Sequence, residues 1–466
     1  MQQLFKQTFT PLLVFLLIGT MVTASFGQYS RGNSPYSRYG LGDLKGSLFT
    51  ANASMAGGLS ATYRSYWDIN LTNPASLGKL RYASFQLGLG YQHSELSEKS
   101  TGFTAQADNG NLTYLTLAFP ITKSWEIMRD TLRRGVPVQW GMAFSLMPYS
   151  QVNYDVAVTR TVGTIPNVLF NYTGTGNKYR VNWSNGVTYK GFSAGLNAGL
   201  LFGKISNSTF IDFQDSAYAL AYDEQLLVEE NGVGFIWDLG LQYEYVFKSK
   251  NRVSSPDANF SIDKKLTIGL YAGGVSDIIT TSSQQYTRIG TYHPVDSIQN
   301  ASDIKGSINM PIKIGGGVSF GKDLGLLIGA SYETEMWSMF RRNGDASPNL
   351  ANSHRFAVGL QIVPDFADYT SYFNRIRYRV GAHYGLDART FVASNGTSYQ
   401  LMDYGLSLGA GFPMRPPKAK SILGFVNLGF DVGYLGHPEL IGDVYFKVNL
   451  GFALNANGWF DRSKFR

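Results

Sequence analysis

The chain has no cysteine among its 466 residues. That excludes disulfides, a lipid-modified N-terminal cysteine, thiolate-bound metal and thiol catalysis. Stability must therefore come from a closed hydrogen-bonded framework or a large core. Charge is scarce as well: Asp, Glu, Lys and Arg make up 16% of the chain. The formal net charge is +7, yet the cations are scattered singly and build no basic run or helix face, so nucleic-acid binding is not expected. Beyond the N-terminus no run of about eighteen apolar residues occurs, and a membrane-spanning helix is excluded. The histidines His93, His293, His354, His383 and His437 lack zinc-like spacing, and no P-loop, dinucleotide fingerprint or calcium loop is present. No metal, no cofactor and no enzymatic activity are expected.

What is present begins with "MQQLFKQTFTPLLVFLLIGTMVTASFGQYS": a cation at Lys6, an apolar run from Leu12 to Ile18, then small residues to Gly27. This is the pattern of a secretory signal peptide over residues 1–27, with cleavage expected after Gly27 and Ala24 as the alternative. Glycine (52), tyrosine (29) and phenylalanine (30) are abundant. An exported, charge-poor, Gly- and aromatic-rich chain suits a β-barrel in lipid better than a soluble enzyme.

Alternation gives the same answer. In "VYFKVNLGFAL", Val444, Phe446, Val448, Leu450, Phe452 and Leu454 share one face, and Tyr445, Lys447, Asn449, Gly451 and Ala453 the other. Phe192 to Phe202 and Met402 to Phe412 split in the same way. A soluble sandwich also alternates, but its outward face is rich in Lys, Glu and Thr. Here the non-apolar face is mostly Gly, Ser, Asn and Gln, which suits a lumen. Segments long enough to cross a bilayer number fourteen, at about 81–95, 110–121, 137–154, 177–190, 191–204, 232–247, 264–276, 306–320, 323–336, 352–364, 375–387, 398–412, 421–434 and 442–455. The expected fold is an all-β, transmembrane 14-stranded antiparallel β-barrel over residues 81–466, in the outer membrane of a Gram-negative bacterium. Long loops are expected outside at 155–176, 205–231 and 277–305. Inside, mostly short turns are expected, apart from a short helix at 122–136 and a polar loop at 248–263.

Residues 28–80 do not alternate. They are rich in turn-forming glycines (Gly40, Gly42, Gly57, Gly58), carry charges of both signs (Arg31, Arg38, Arg64, Asp43, Asp68), and contain Asn73-Pro74, which ends any helix or strand there. A fourteen-stranded barrel is wider than side chains alone can fill. The segment is therefore expected to be an N-terminal hatch, a plug inside the lumen.

"ASMAGGLSATYRSYWDINLTNPASLGKL" ahead of fourteen strands resembles the FadL-type outer-membrane transport family. Its hatch motif corresponds to Gly57 and Gly58 and to Asn73, Pro74 and Ala75 here. The resemblance implies passive uptake of hydrophobic or amphiphilic, fatty-acid-like molecules across outer-membrane lipid. The family also includes barrels that serve as partner or shuttle subunits, which leaves as the alternative a non-transporting barrel of an outer-membrane protein secretion or assembly complex. The leader Gly32 to Gly46 departs from the fatty-acid transporters and weakens transfer of their ligand.

Two site expectations follow. Pro148, about ten residues into the third strand, removes a ladder donor and lies where the family's third strand opens the wall sideways; alternatively, the strand is already leaving the membrane there. Strand phasing puts Arg180, Lys313, Arg355, Arg377, Arg379 and Lys447 on the lumen face, with carboxylates at Asp238, Glu333 and Asp403. They either receive the acidic head of an amphiphile or pair with each other and with Asp43 and Asp68 to hold the hatch.

Overall fold

A computed structural model describes residues 34–98, 102–122, 138–218, 220–247, 263–290, 295–347, 349–368, 370–393, 396–414 and 422–456. The expected signal peptide, Arg31, and nearly all of the two long inner turns lie outside the described residues.

The wall is built from β1 (Ala83–Glu98), β2 (Thr104–Pro120), β3 (Gln139–Val162), β4 (Ile165–Tyr189), β5 (Phe192–Phe213), β6 (Asp223–Phe247) and β7 (Lys264–Val275, continued by Ile278–Ile289). It continues with β8 (Asp296–Asn309, then Lys313–Gly321), β9 (Leu327–Glu335), β10 (Ser353–Ile362), β11 (Arg377–Val392), β12 (Ser398–Met414), β13 (Ile422–Gly436) and β14 (Ile441–Ala456). Each strand pairs antiparallel with the next, and β14 returns to β1 in unbroken register from Ile441↔Glu98 to Ala456↔Ala83. The result is a closed 14-stranded barrel. Closure leaves no edge for lipid to meet, which is the condition for a sheet to cross a bilayer.

Burial is inverted relative to a soluble protein. Leu406 is 66% exposed while Ser407 is 1%, and Phe192 is 66% exposed while Ser193 is 4%. Val444, Phe446 and Leu454 likewise face outward, with Tyr445 and Asn455 buried on the other side. The outer band of Leu, Phe, Val and Tyr meets hydrocarbon, and the inward layer is Ser, Asn, Gln, Thr and Arg.

The three segments expected as long outer loops are instead continuations of strands. β3 and β4 pair as far as Val162↔Ile165, β5 and β6 as far as Ile211↔Glu224, and β6 and β7 as far as Asp223↔Ile289. Strands β3 to β8 thus rise as a wall well beyond the apolar band. Alternation fades there because both faces meet water, while the hydrogen-bond ladder continues.

A belt of glycines runs around the inside of the barrel and sets the fit of residues 34–80. Cross-strand neighbours include Gly141, Gly186, Gly195 and Gly240 on β3 to β6, Gly329, Gly359 and Gly381 on β9 to β11, and Gly409 beside Gly429 on β12 and β13. A side chain at these positions would collide with the N-terminal segment: Gly195 with the backbone of Pro74 and Ala75, Gly381 with Met55, Gly409 and Gly429 with Ser54. The belt lets a backbone pack directly on a backbone.

Candidate functional site

Residues 34–80 form two layers within the ring of strands. In the lower layer, nearer the barrel's termini, almost every residue from Phe49 to Leu80 is buried. Asn73 is its clamp. The Asn73 side chain accepts from the Ala75 N–H at 3.2 Å, so Asn73-Pro74 starts the 3-10 turn Pro74–Lys79. This corrects the expectation that Asn73-Pro74 merely ends an element: proline lacks the donor that a first turn leaves unused. The same side chain donates to the carbonyls of Ala61 (2.8 Å), Leu241 (3.3 Å) and Leu270 (3.2 Å), tying the turn to β6 and β7. Gly57 takes φ +78°, and Gly58 lies against the backbone of Val358 and Gly359.

Two buried charge groups fasten this layer. Arg377 reaches Asp68 at 2.7 Å and packs against the rings of Trp67 (4.8 Å) and Phe425 (4.0 Å), which stack on each other, while the Tyr63 hydroxyl donates to Asp68 at 2.8 Å. Arg379 bonds Gln361 and Asn427 beside it. The second group joins Lys79 to Glu244 (2.7 Å) and Asp323 (3.5 Å), with Lys265 bonded to both carboxylates and Arg64 at 3.9 Å from Glu244. Burial alone would lower the proton affinity of Lys79, but Asp323 and Glu244 outweigh it and hold the ammonium above its usual range.

The upper layer is the leader, Ser34 to Gly46. It crosses the lumen on few supports. The Tyr36 hydroxyl donates to the Ile441 carbonyl; Asp43 pairs with Arg389 at 2.6 Å; Arg342 reaches the Gly40 carbonyl at 3.3 Å; Arg38 stacks on Tyr172 at 3.9 Å. Leu41 is buried in an apolar cluster with Leu201, Ile236, Ile278, Ile308 and Trp337.

Between the layers lies a cavity of about 510 Å³, bounded by leader residues such as Gly42 and Asp43 and by lower-layer residues such as Ala56, Gly57 and Ser60. Of the cations expected on the lumen face, Arg180, Lys313, Arg355 and Lys447 line it, whereas Arg377 and Arg379 belong to the lower layer. Arg180 bonds the Ser47 hydroxyl; Arg355 pairs with Asp403 at 3.0 Å; Lys313 lies 4.0 Å from both Asp238 and Glu333; Lys447 lies 4.0 Å from Asp431. Among the described residues the lining holds eight carboxylates and six Lys or Arg side chains. It therefore offers no surplus positive charge to an acidic head group. The same lining also holds apolar side chains, among them Leu48, Ile236, Val275 and Trp337.

Pro148 sits where the wall loses pairing. β2 and β3 pair from Pro120↔Gly141 to Leu115↔Leu146 and no further, although β2 runs on to Thr104 and β3 to Val162. Register shifts leave Thr113 of β2 and Tyr149 of β3 unpaired beside the break, and Pro148 has no N–H to offer. Asn109 and Gln151 bridge the gap through their amides at 2.9 and 3.2 Å, and the leader strand Asp43–Leu44 pairs with β3 at Gln151 and Ser150. Pro148 is buried and lines the cavity at this seam.

Arg389, Glu244, Lys265 and Asp323 were not singled out from the sequence, because only strand register brings them to the N-terminal segment. The glycine belt was legible as small residues on a lumen face, but not as a contact surface. Among the described residues no three His, Cys, Asp or Glu side chains are grouped to hold a metal ion. His93 contacts Asp108, His354 contacts Tyr332 and His383 contacts Asp403, each separately.

Solved structures with this fold include the toluene transporter TodX of Pseudomonas putida, with a TM-score of 0.50 at 12% identity over 89% of this chain and 99% of that one. A FadL homologue of Pseudomonas aeruginosa gives 0.53 at 14% identity over 88% and 98%. At such identities the likeness is one of fold. No curated protein sequence matches the chain. Barrels of this build lie in the outer membrane of Gram-negative bacteria, and so does this one. The BamG family matches residues 9–466, nearly the whole sequence, and the chain belongs to that family of FadL-like barrels.

Proposed function

We propose that this barrel conducts nothing and acts as a partner subunit of an outer-membrane protein secretion or assembly complex, with residues 34–80 as a fixed hatch. The observation that carries this reading is the lumen. It is crossed by two layers of the chain's own N-terminal segment, and ion-paired as well as apolar side chains line the space between them.

The test is functional isolation. Purified barrel in liposomes should take up a fluorescent fatty acid no faster than protein-free liposomes and pass no ion current, while mild solubilisation of native membranes should recover it in a complex of fixed stoichiometry. Probe uptake by the isolated barrel, with no stoichiometric partner, would defeat the reading.

One observation favours the second reading, passive uptake of a fatty-acid-like molecule: the seam at Pro148 adjoins the cavity. On that reading Pro148→Val, which restores a ladder donor, lowers uptake in a folded barrel.

A further inference from the structure

At the lower end of the barrel, the connection from β10 to β11 is a turn held by its own side chains. The Asp368 carboxylate accepts from the N–H groups of Thr370 (2.7 Å) and Ser371 (3.2 Å), from the Thr370 hydroxyl (2.6 Å) and from the Asn374 amide (2.6 Å). Asp365 accepts from the Ala367 N–H at 2.9 Å, and the Asp365 N–H donates to the Asn374 carbonyl at 2.8 Å. Aspartates that bond the backbone two and three residues on close a turn upon itself, and the short 3-10 turn Phe373–Arg375 leads from it into β11.

The two sides of this turn meet different surroundings. On the inner side Phe366 stacks on Trp67 with ring centroids 5.9 Å apart and lies 6.0 Å from the Arg377 guanidinium, so it underlies the hatch. On the outer side stands Tyr378, which faces lipid between the buried Arg377 and Arg379. Its hydroxyl donates to the Phe373 carbonyl at 3.2 Å, and the Tyr372 hydroxyl donates to the Pro413 carbonyl, at the lower end of β12, at 3.1 Å.

Phe373 is 70% exposed, as open as the leucines and phenylalanines of the lipid-facing band, and Tyr372 is exposed beside it. Ile362, Tyr378 and Met414, the lowest outward residues of β10, β11 and β12, are exposed apolar or aromatic residues too, so the two rings continue the band below the strands. The Arg375 guanidinium lies 5.2 Å from the Tyr372 ring. Aromatic rings with an arginine beside them suit the headgroup boundary of a bilayer, where a ring meets acyl chains and a cation meets phosphate.

We infer that the outer side of this turn is a lipid-binding surface, with Tyr372, Phe373 and Arg375 seated in the headgroup boundary of the inner leaflet. The wall's contact with lipid thus extends beyond its strands onto a connection whose other side supports the hatch. The inference holds whether or not the barrel conducts.

The chain has no cysteine, so a single introduced one can be labelled. Phe373→Cys carrying a nitroxide is measured in the full barrel in phospholipid nanodiscs for collision with oxygen, which concentrates in lipid, and with a water-soluble nickel chelate. Leu408→Cys, in the middle of the band, and Asp345→Cys, exposed on the outer hairpin Arg341–Ala346, are the references. The oxygen-to-nickel ratio at residue 373 should exceed that at residue 345 by about fivefold or more and stay below that at residue 408. Tyr372→Cys, which gives up the bond to Pro413, is the second label site; it should also fall between the references, and it decides the matter if Phe373→Cys does not fold. Ratios at 372 and 373 equal to that at 345 overturn the inference, because the rings then stand in water. Shielding of the labels from both agents overturns it as well: in nanodiscs the barrel's own chain covers the turn, and in native outer-membrane vesicles alone a protein does.

Discussion

The two layers of the N-terminal segment are held by different physics. The lower layer lies backbone to backbone on the glycine belt, its polar groups bonded to strand carbonyls and its charges paired in burial. The leader above it is pinned at separate points, by side chains and by the short backbone pairing of Asp43–Leu44 with β3, and Arg38, Leu44 and Gly46 along it remain exposed. One short stretch of chain thus contains an element that is part of the barrel's core and an element that is fastened to it. Removing a support should destabilise the whole barrel in the first case and free only the leader in the second.

The largest effect is expected at Asp68. Asp68→Ala leaves the Arg377 guanidinium buried against Trp67 and Phe425 without its carboxylate. Breaking a buried pair from one side costs about 3–5 kcal/mol. The midpoint of urea unfolding, followed by loss of the folded gel mobility, should fall accordingly. Replacing both partners, as Asp68→Leu with Arg377→Met, should recover much of the loss, because neither charge is then stranded. A single and a double variant of equal stability would remove the pair from the account.

A smaller effect is expected from the belt. Gly195→Val sets a branched side chain against the backbone of Pro74 and Ala75. Overpacking of this kind costs about 1–3 kcal/mol. Gly110→Ala is the control, since nothing lies within 4 Å of the added carbon; it should shift the unfolding midpoint by no more than about 0.5 kcal/mol. Equal shifts for the two variants would mean that the lower layer does not rest on the belt.

These contrasts also explain what was readable from residues alone. The barrel strands were legible because lipid outside and a polar lumen inside impose alternation, and the Val444 to Leu454 strand displays it in burial. The upper halves of β3 to β8 were not, because water on both faces removes the signal while the ladder persists. Residues 28–80 stood out by failing to alternate, and Asn73 and Pro148 by their chemistry. The partners of those residues depend on register, which a sequence does not state. Nothing local joins Asp43 to Arg389, or Lys79 to Glu244 and Asp323. Strand phasing could place Arg180 and Arg377 on the same face, but not assign one to the cavity and the other to the layer beneath it.

The smallest global effect belongs to the leader. Asp43→Asn keeps the side chain's shape and an acceptor oxygen but removes the charge that faces Arg389 at 2.6 Å. Arg389 is not stranded by the change, because Asp387 holds it at 2.7 and 2.9 Å through separate nitrogens. A lost charge-assisted contact with its counter-ion still paired should lower barrel stability by no more than about 1 kcal/mol. Locally the consequence is larger, since Asp43 is also one of the two residues that pair with β3 at the seam. Trypsin cleavage after Arg38 or Lys45 should therefore speed up several-fold in the folded barrel, with cleavage after Lys79 unchanged. If Asp43→Asn leaves the leader as resistant as the parent, the ion pair is not what fastens it. If Lys79 becomes accessible together with Lys45, the two layers move as one body and the contrast between them is lost.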